Sequence, residues 1–126
     1  MRAKVSTNIL ILLMILLVGG VGYAKTSWIP RTGFQHNMIV YGNIEATGFS
    51  FKSGNAYIYG FGPRGEGDCR SVSKIKEDGA YYMTIAGDEG DEPITFTGVD
   101  DEDRIYPFAD TLIFHSDATV KNLIIR

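Results

Sequence analysis

The sequence predicts an all-β protein, a single antiparallel β-sandwich of about seven strands that follows an N-terminal signal helix. Two observations predict this fold class. After residue 37, no window carries apolar residues at the i, i+3, i+4, i+7 spacing of an amphipathic helix. Instead, short runs rich in β-branched and aromatic residues alternate with clusters of Gly, Asp, Asn and Pro, as in sandwiches and barrels.

The N-terminal stretch has the three parts of a secretory signal peptide. Arg2 and Lys4 precede the apolar run 8–21, and the small residues of "GYA" at 22–24 follow it. The uninterrupted apolar core, 9–18, is shorter than the ~20 residues that a membrane-spanning helix needs. These features predict an exported protein, secreted or periplasmic.

Cleavage after Ala24 would divide the chain into three parts. We expect a signal peptide at 1–24, a leader segment at 25–37 and a β-sandwich domain at 38–126. The alternative is a protein that keeps its N terminus and is anchored in the membrane by residues 8–21.

The net charge of the chain limits the classes of partner that it can bind. Removing residues 1–24 takes away Arg2 and Lys4 and no acidic residue, so the formal net charge changes from −3 to −5. A negative surface argues against nucleic acid and anionic membranes as partners, because binding to both needs clustered Lys and Arg.

Cys69 is the only cysteine, which excludes an intramolecular disulfide, and we interpret it as a buried small hydrophobic residue.

The predicted strands are short and are separated by turn residues. The segments "SGN" at 53–55 and "EDG" at 77–79 contain residues that tolerate a positive φ. The tight connection Ser116–Asp117 predicts that the last two strands form a hairpin. The strands are expected at residues 38–44, 55–61, 70–75, 80–85, 94–97, 111–115 and 119–125.

The stretch "GFGPRG" matches G-x-G-x-x-G, the spacing of a dinucleotide-binding loop. That loop works only when a helix begins directly after it, so that the backbone meets a pyrophosphate at the helix N terminus. Here Pro63 interrupts the motif, and residues 71–75 alternate with the period of a strand. We therefore interpret residues 60–68 as a glycine-rich connection between two strands.

Two acidic clusters, "GDEGDE" at 87–92 and "DDED" at 100–103, are candidates for calcium. Calcium takes 6–8 oxygen ligands, and loop carboxylates are its usual source in proteins. Asp88, Asp91, Asp101 and Asp103 are the candidate ligands. Neither cluster has the spacing of a known calcium loop, and the alternative is that they are solvated turn residues.

No constellation of catalytic residues is found. "HSD" at 115–117 contains the residue types of a catalytic triad, but adjacent strand residues point to opposite faces and do not converge. Two histidines and one cysteine, without recognised spacing, do not make a zinc site. We expect a protein that is not an enzyme and has no cofactor.

An aromatic row is the most suggestive binding feature. Tyr57, Tyr59 and Phe61 alternate along one predicted strand and share a face, while Ala56, Ile58 and Gly60 share the other. If the aliphatic face packs in the core, the three rings form an exposed contact surface. The alternatives are that the row faces the core or lies under the leader.

Two stretches carry a family resemblance. "DGAYYMTI" at 78–85 resembles the G-x-Y strand entry of carboxypeptidase-regulatory-like, or prealbumin-like, β-sandwich domains of secreted microbial surface proteins. The order of "VYGNI", "SGNAYIYGF", the Cys69 loop, the acidic "GDE" loop and "ITFTG" is similar to one variety of them. The resemblance implies a Greek-key sandwich and no shared catalytic or metal residues.

From these features we expect a non-enzymatic exported binding or adhesion module. Its partner would be a polysaccharide or a surface protein, contacted through Tyr57, Tyr59 and Phe61. The alternative function is structural, as a minor component of the cell envelope or of a filament, anchored by an uncleaved N-terminal helix.

Overall fold

The computed structural model of this chain describes residues 22–23, 28–88 and 90–126. The predicted signal peptide lies outside these residues except for Gly22 and Tyr23, which form a short strand. Within them the protein is all-β, and its only helical element is one 3₁₀ turn at Gly65–Gly67. No helix in this part of the chain has the length and apolar character needed to cross a membrane.

Seven long strands match the seven predicted ones, and one two-residue strand precedes them. The strands are β1 (Gly22–Tyr23), β2 (His36–Ile44), β3 (Ala56–Phe61), β4 (Cys69–Ile75), β5 (Ala80–Gly87), β6 (Pro93–Val99), β7 (Arg104–Ile113) and β8 (Thr119–Ile125).

The long strands form two sheets. The four-stranded sheet has the order β7-β6-β3-β4, and β1 extends it at β7 through the pairs Gly22–Ile105 and Tyr23–Arg104. The three-stranded sheet has the order β5-β2-β8. The architecture is therefore a β-sandwich, as predicted.

The core lies between the inner faces of the two sheets. Along β5, Tyr81, Met83 and Ile85 are buried and alternate with less buried residues, because successive strand side chains point to opposite faces. The inward positions of the other sheet include Ile58 and Phe96. One polar atom in this interior, Ser71 Oγ, has no hydrogen-bond partner among the described residues.

The sandwich is not purely antiparallel, which corrects one part of the prediction. β2 pairs with β5 antiparallel but with β8 parallel, so the first and last long strands run side by side in the same direction. Parallel neighbours need a long crossover connection, and here nearly the whole domain is that connection.

The predicted hairpin between the last two strands is also wrong. β7 belongs to the four-stranded sheet and β8 to the three-stranded sheet, so the connection at 114–118 crosses from one sheet to the other. Phe114, in this connection, is fully buried between them. β7 also begins at Arg104, seven residues before the predicted start, and has a register shift against β6 between Thr95 and Thr97.

The β2–β8 pairing contains a β-bulge that requires glycine on the facing strand. The register shifts between Val40 and Gly42, and Asn122 of β8 adopts φ 56°. A Cβ at Gly42 would overlap the backbone oxygen of Leu123 and lie 2.6 Å from its nitrogen. The backbones of the two strands therefore approach each other too closely for any side chain at position 42.

Candidate functional site

The predicted aromatic row lies on the outer face of the four-stranded sheet, but it is not an exposed row. Tyr57 is 38% exposed, whereas Tyr59 and Phe61 are 5% and 3% exposed. The three side chains do share one face of β3, as the alternation predicted. The expectation that all three rings are exposed is wrong for Tyr59 and Phe61.

Trp28 of the leader covers these two rings. Its ring packs edge-on against Tyr59 at a centroid distance of 5.0 Å and against Phe61 at 5.3 Å. Together with Cys69 and Val99, the two rings form a second apolar cluster outside the main core. For Tyr59 and Phe61, the structure therefore agrees with the alternative interpretation, in which the row lies under the leader.

Cys69 lies in this cluster and is 2% exposed, which confirms its interpretation as a buried residue. Burial raises the pKa of its thiol above the ordinary value. A protonated, covered thiol is a poor nucleophile, so the geometry does not favour catalysis by Cys69.

A buried ionic cluster, formed by Asp68, Arg70 and Glu92, lies beside the aromatic cluster. The guanidinium of Arg70 donates to Asp68 Oδ1 at 2.7 Å and Oδ2 at 3.1 Å, and to Glu92 Oε1 at 2.9 Å and Oε2 at 2.8 Å. It also donates to the carbonyl of Ala86 at 3.2 Å. Arg70 therefore ties the β3–β4 loop to the β5–β6 loop with two forked charge-assisted contacts.

The leader joins this cluster. Arg31 forms an ion pair with Asp68, and its backbone N–H donates to the carbonyl of Cys69 at 2.9 Å. The ring of Phe34 lies 4.1 Å from the guanidinium carbon of Arg70 and 4.9 Å from that of Arg31.

The pKa values of the cluster follow from these contacts. The hydrogen bond with Glu92 raises the pKa of Arg70, and the same contact holds the pKa of Glu92 below its ordinary value. Burial alone would raise the pKa of Asp68, but the hydrogen bonds from the two arginines outweigh it and lower that pKa. All the charges are fixed by direct partners, which indicates a structural role.

This cluster explains the glycine spacing that resembled a dinucleotide-binding loop. A Cβ at Gly62 would overlap Asp68 and lie 2.6 Å from Arg70 Nη2. The loop ends in a strand, and its glycine at position 62 makes room for an ion pair of the same chain. The interpretation of this stretch as a connection between strands is confirmed for residues 62–68, while Gly60 and Phe61 belong to β3.

The four candidate calcium ligands lie at opposite ends of β6. Asp88 and Asp91 precede this strand, whereas Asp101 and Asp103 follow it, about 20 Å away for a seven-residue strand. Over the described ranges, no three or more His, Cys, Asp or Glu side chains form a group that could hold a metal ion.

Asp101 instead organises a turn. Its carboxylate accepts hydrogen bonds from the backbone N–H of Ser53 at 2.8 Å and of Asn55 at 3.2 Å, and from Ser50 Oγ at 3.2 Å. Burial raises its pKa, but these hydrogen bonds outweigh that effect and lower it. The turn at 53–55 lines an open depression of about 700 Å³, together with Lys74 and Lys76.

The residues of "HSD" do not converge, as expected, but Ser116 has another partner. Its Oγ lies 2.7 Å from Nδ1 of His36, at the start of β2. His115 lies 3.7 Å from Asp91, and both side chains are largely exposed. Within the described part of the chain, no carboxylate contacts the His36 ring, so the third member of a triad is missing.

The outer face of the three-stranded sheet carries an aromatic pair that the sequence analysis missed. Tyr41 of β2 and Tyr82 of β5 are register partners, and their rings stack at 5.9 Å with an interplanar angle of 11°. Tyr82 is 58% exposed. Finding this pair needs the strand register, because the two residues are far apart in the sequence and neither belongs to an aromatic row.

The two strands that carry this pair are uncharged, but β8 places the exposed Lys121 opposite Tyr41, at the bulge. The strands β2 and β5 contain no Asp, Glu, Lys or Arg. On the face around the rings lie Ile39, Asn43 and Thr84, and Ile124 of β8 pairs with Asn43. We call this surface the tyrosine face, defined by Ile39, Tyr41, Asn43, Tyr82, Thr84 and Ile124.

Compared with protein-family models, with curated proteins and with solved structures, the chain matches none of them.

Proposed function

We propose that this protein is an exported, non-enzymatic binding module of prealbumin-like topology, which engages polysaccharide or protein at the cell surface. The observation that carries the proposal is the stacked pair of Tyr41 and Tyr82 on an exposed sheet face. The two-sheet architecture and the signal-like N terminus are compatible with it.

Polysaccharide is the ligand class that the tyrosine face fits better. Aromatic rings provide apolar faces for sugar C–H groups, and Asn43 and Thr84 add amide and hydroxyl groups for sugar hydroxyls. β2 and β5 carry no charged side chain, and Lys121 of β8 lies opposite Tyr41, so the face accommodates both a neutral and an acidic chain. The module needs no cofactor, and a calcium-dependent rise in melting temperature would contradict that part of the proposal.

The test compares the two sheet faces. Tyr82→Ala should weaken binding to insoluble neutral or acidic polysaccharides, or to isolated native envelope, about tenfold, the effect of losing roughly 1.4 kcal/mol of contact energy. Tyr57→Ala is the matched control, because Tyr57 is a partly exposed tyrosine on the opposite sheet. If Tyr57→Ala loses binding and Tyr82→Ala does not, the originally predicted row is the contact surface and the tyrosine face is not.

The alternative function is a structural component of the envelope or of a filament, anchored by its N terminus. One observation favours it: Gly22 and Tyr23 pair with β7, yet both precede the expected cleavage site after Ala24. Cleavage would therefore remove β1 from the sheet. Mass spectrometry of the native N terminus separates the two proposals, since Lys25 as the first residue supports the exported module and an intact 1–24 segment supports the anchored component.

A further inference from the structure

We propose that the partner of the tyrosine face is an acidic polysaccharide, whose anionic group pairs with Lys121 while its sugar rings lie on Tyr41 and Tyr82. This inference rests on the proposed function, because it names the class of polysaccharide that the same face would bind. It adds Lys121 of β8 to the contact residues of the tyrosine face.

The β-bulge places Lys121 beside Tyr41. The register of β2 against β8 shifts at this point, so that Tyr41 faces two residues of β8 instead of one. These two residues, Lys121 and Asn122, are both exposed. The neighbouring Val120 and Leu123 pack against the core, so Lys121 lies on the outer side of β8, on the same face as the two tyrosines.

Tyr82, Tyr41 and Lys121 form one row across the three strands of the sheet. β2 is the central strand, with β5 on one side and β8 on the other, and Tyr82 is the register partner of Tyr41. Two interstrand spacings of about 4.8 Å separate the outer members of the row, which therefore spans roughly 10 Å. A ligand that contacts all three residues crosses the strands and combines apolar ring surface with a negative charge.

Lys121 has no partner of opposite charge in the described part of the chain. It is the only Asp, Glu, Lys or Arg in the three strands of this sheet, and it forms no ion pair with any described residue. Just beyond the ends of β2 and β8, Glu45 and Arg126 lie 3.7 Å apart and offset each other. The ammonium group of Lys121 is therefore available to an anionic ligand.

The acidic groups that flank the sheet lie beyond the ends of its strands. Asp117 comes four residues before Lys121, up to about 13 Å away along the chain at 3.3 Å per residue. Asp78 lies in the turn before β5, on the other side of β2 from Lys121. Because the Debye length at physiological salt is about 8 Å, these carboxylates only partly offset the charge of Lys121. An anionic group in direct contact with Lys121 therefore gains more from this cation than it loses to its acidic neighbours.

The test uses one polysaccharide in two charge states, polygalacturonate and the same chain with its carboxyl groups methyl-esterified. By isothermal titration calorimetry, the unmodified protein should bind the acidic form about fivefold more tightly at low salt, the effect of one exposed charge pair. Higher salt should reduce this preference, because screening weakens the contact between the charges. Lys121→Gln should remove the preference and leave binding of the esterified form unchanged.

Lys74→Gln is the matched control. Lys74 is exposed and is the register partner of Tyr57, so it forms a comparable pair of lysine and tyrosine on the opposite sheet. This variant should keep the preference for the acidic form. Because both lysines are exposed, neither substitution should change the melting temperature, which circular dichroism checks. Tyr82→Ala should weaken binding of both forms, since both would use the stacked rings.

The inference is wrong if the two forms bind equally well, or if Lys121→Gln keeps the preference. When Tyr82→Ala still weakens both forms in that case, the proposed binding function stands without the inference. A preference that is lost in Lys74→Gln but kept in Lys121→Gln would assign the acidic chain to the opposite sheet and overturn the inference. Binding of neither form would refute the inference and the proposed polysaccharide function together.

Discussion

Replacing Arg70 with alanine should lower the free energy of unfolding by about 3–5 kcal/mol, the usual cost of removing one partner of a buried ion pair. The side chains of Arg70 and Asp68 are 3% and 1% exposed, so solvent does not reach the pair. The substitution removes four charge-assisted hydrogen bonds to two carboxylates and the contact with Phe34. Arg31 still faces Asp68, which places the expected loss toward the lower end of this range.

Chemical denaturation followed by tryptophan fluorescence measures this loss, because Trp28 packs on the sheet beside the cluster. Arg126→Ala is the control, since the Arg126–Glu45 pair is 3.7 Å apart and both side chains are more than 60% exposed. Such a pair contributes roughly 0–1 kcal/mol. Arg70→Lys keeps the charge but not the forked geometry, so its loss of unfolding free energy should lie between those of Arg70→Ala and Arg126→Ala. If Arg70→Ala costs no more than Arg126→Ala, the buried cluster does not stabilise the fold and the reasoning is wrong.

Three further predictions test the fold and its pH dependence. Gly42→Ala should destabilise the domain by at least about 3 kcal/mol in the same denaturation assay, because the new Cβ meets the Leu123 backbone. Ser71→Ala should stabilise it by about 1 kcal/mol, because a buried hydroxyl without a partner is removed. The lowered pKa values of Asp68 and Glu92 predict that stability is constant above the ordinary carboxyl range, near pH ~4, and falls as the pH drops through the folded pKa values, since the unfolded chain binds more protons there.

Each of these three predictions has a control. Gly67→Ala should be nearly neutral, because no atom lies within 4 Å of its Cβ position and its φ is not positive. Ser73→Ala should not stabilise, because Ser73 Oγ already donates to the carbonyl of Tyr82 at 2.8 Å. Acid titration of the Arg70→Ala variant should show a weaker loss of stability than the unmodified chain. An equal loss would mean that other carboxylates govern the acid transition.

Local features of the chain predicted the strands and several turns. The alternation in β5 is visible in the sequence because its polar and apolar residues change with period two. Gly54 and Gly79, within the predicted turns, adopt φ of +79° and +88°. These features depend on neighbouring residues, so a single sequence contains them.

Strand neighbours were harder to predict. Period two indicates which residues share a face, but not which strand lies alongside, so the parallel pairing of β2 with β8 was not expected. Only the last three residues of β7, 111–113, were predicted as strand, because acidic residues and Pro107 interrupt the pattern before them. The bulge opposite Gly42 was not predicted for the same reason, because only the facing strand explains why position 42 requires glycine.

The candidate sites depended even more on distant contacts. The shared face of Tyr59 and Phe61 was predicted correctly, but their burial is decided by Trp28, about thirty residues earlier in the chain. The stacking of Tyr41 on Tyr82 likewise appears only once the register of β2 and β5 is known. Composition and alternation identified aromatic side chains, and tertiary packing decided which of them reach solvent.

The parallel pairing of β2 with β8 has a consequence for how the protein is made. One of the two neighbours of β2, the first long strand, is β8, the last strand of the described chain. The three-stranded sheet is therefore incomplete until residues 119–125 are available. Non-local pairing of this kind slows folding, because the loop must close before the contact stabilises it. A chain that emerges in order from a ribosome would therefore complete the three-stranded sheet only when its last strand follows, which is compatible with the proposed export of the chain before it folds.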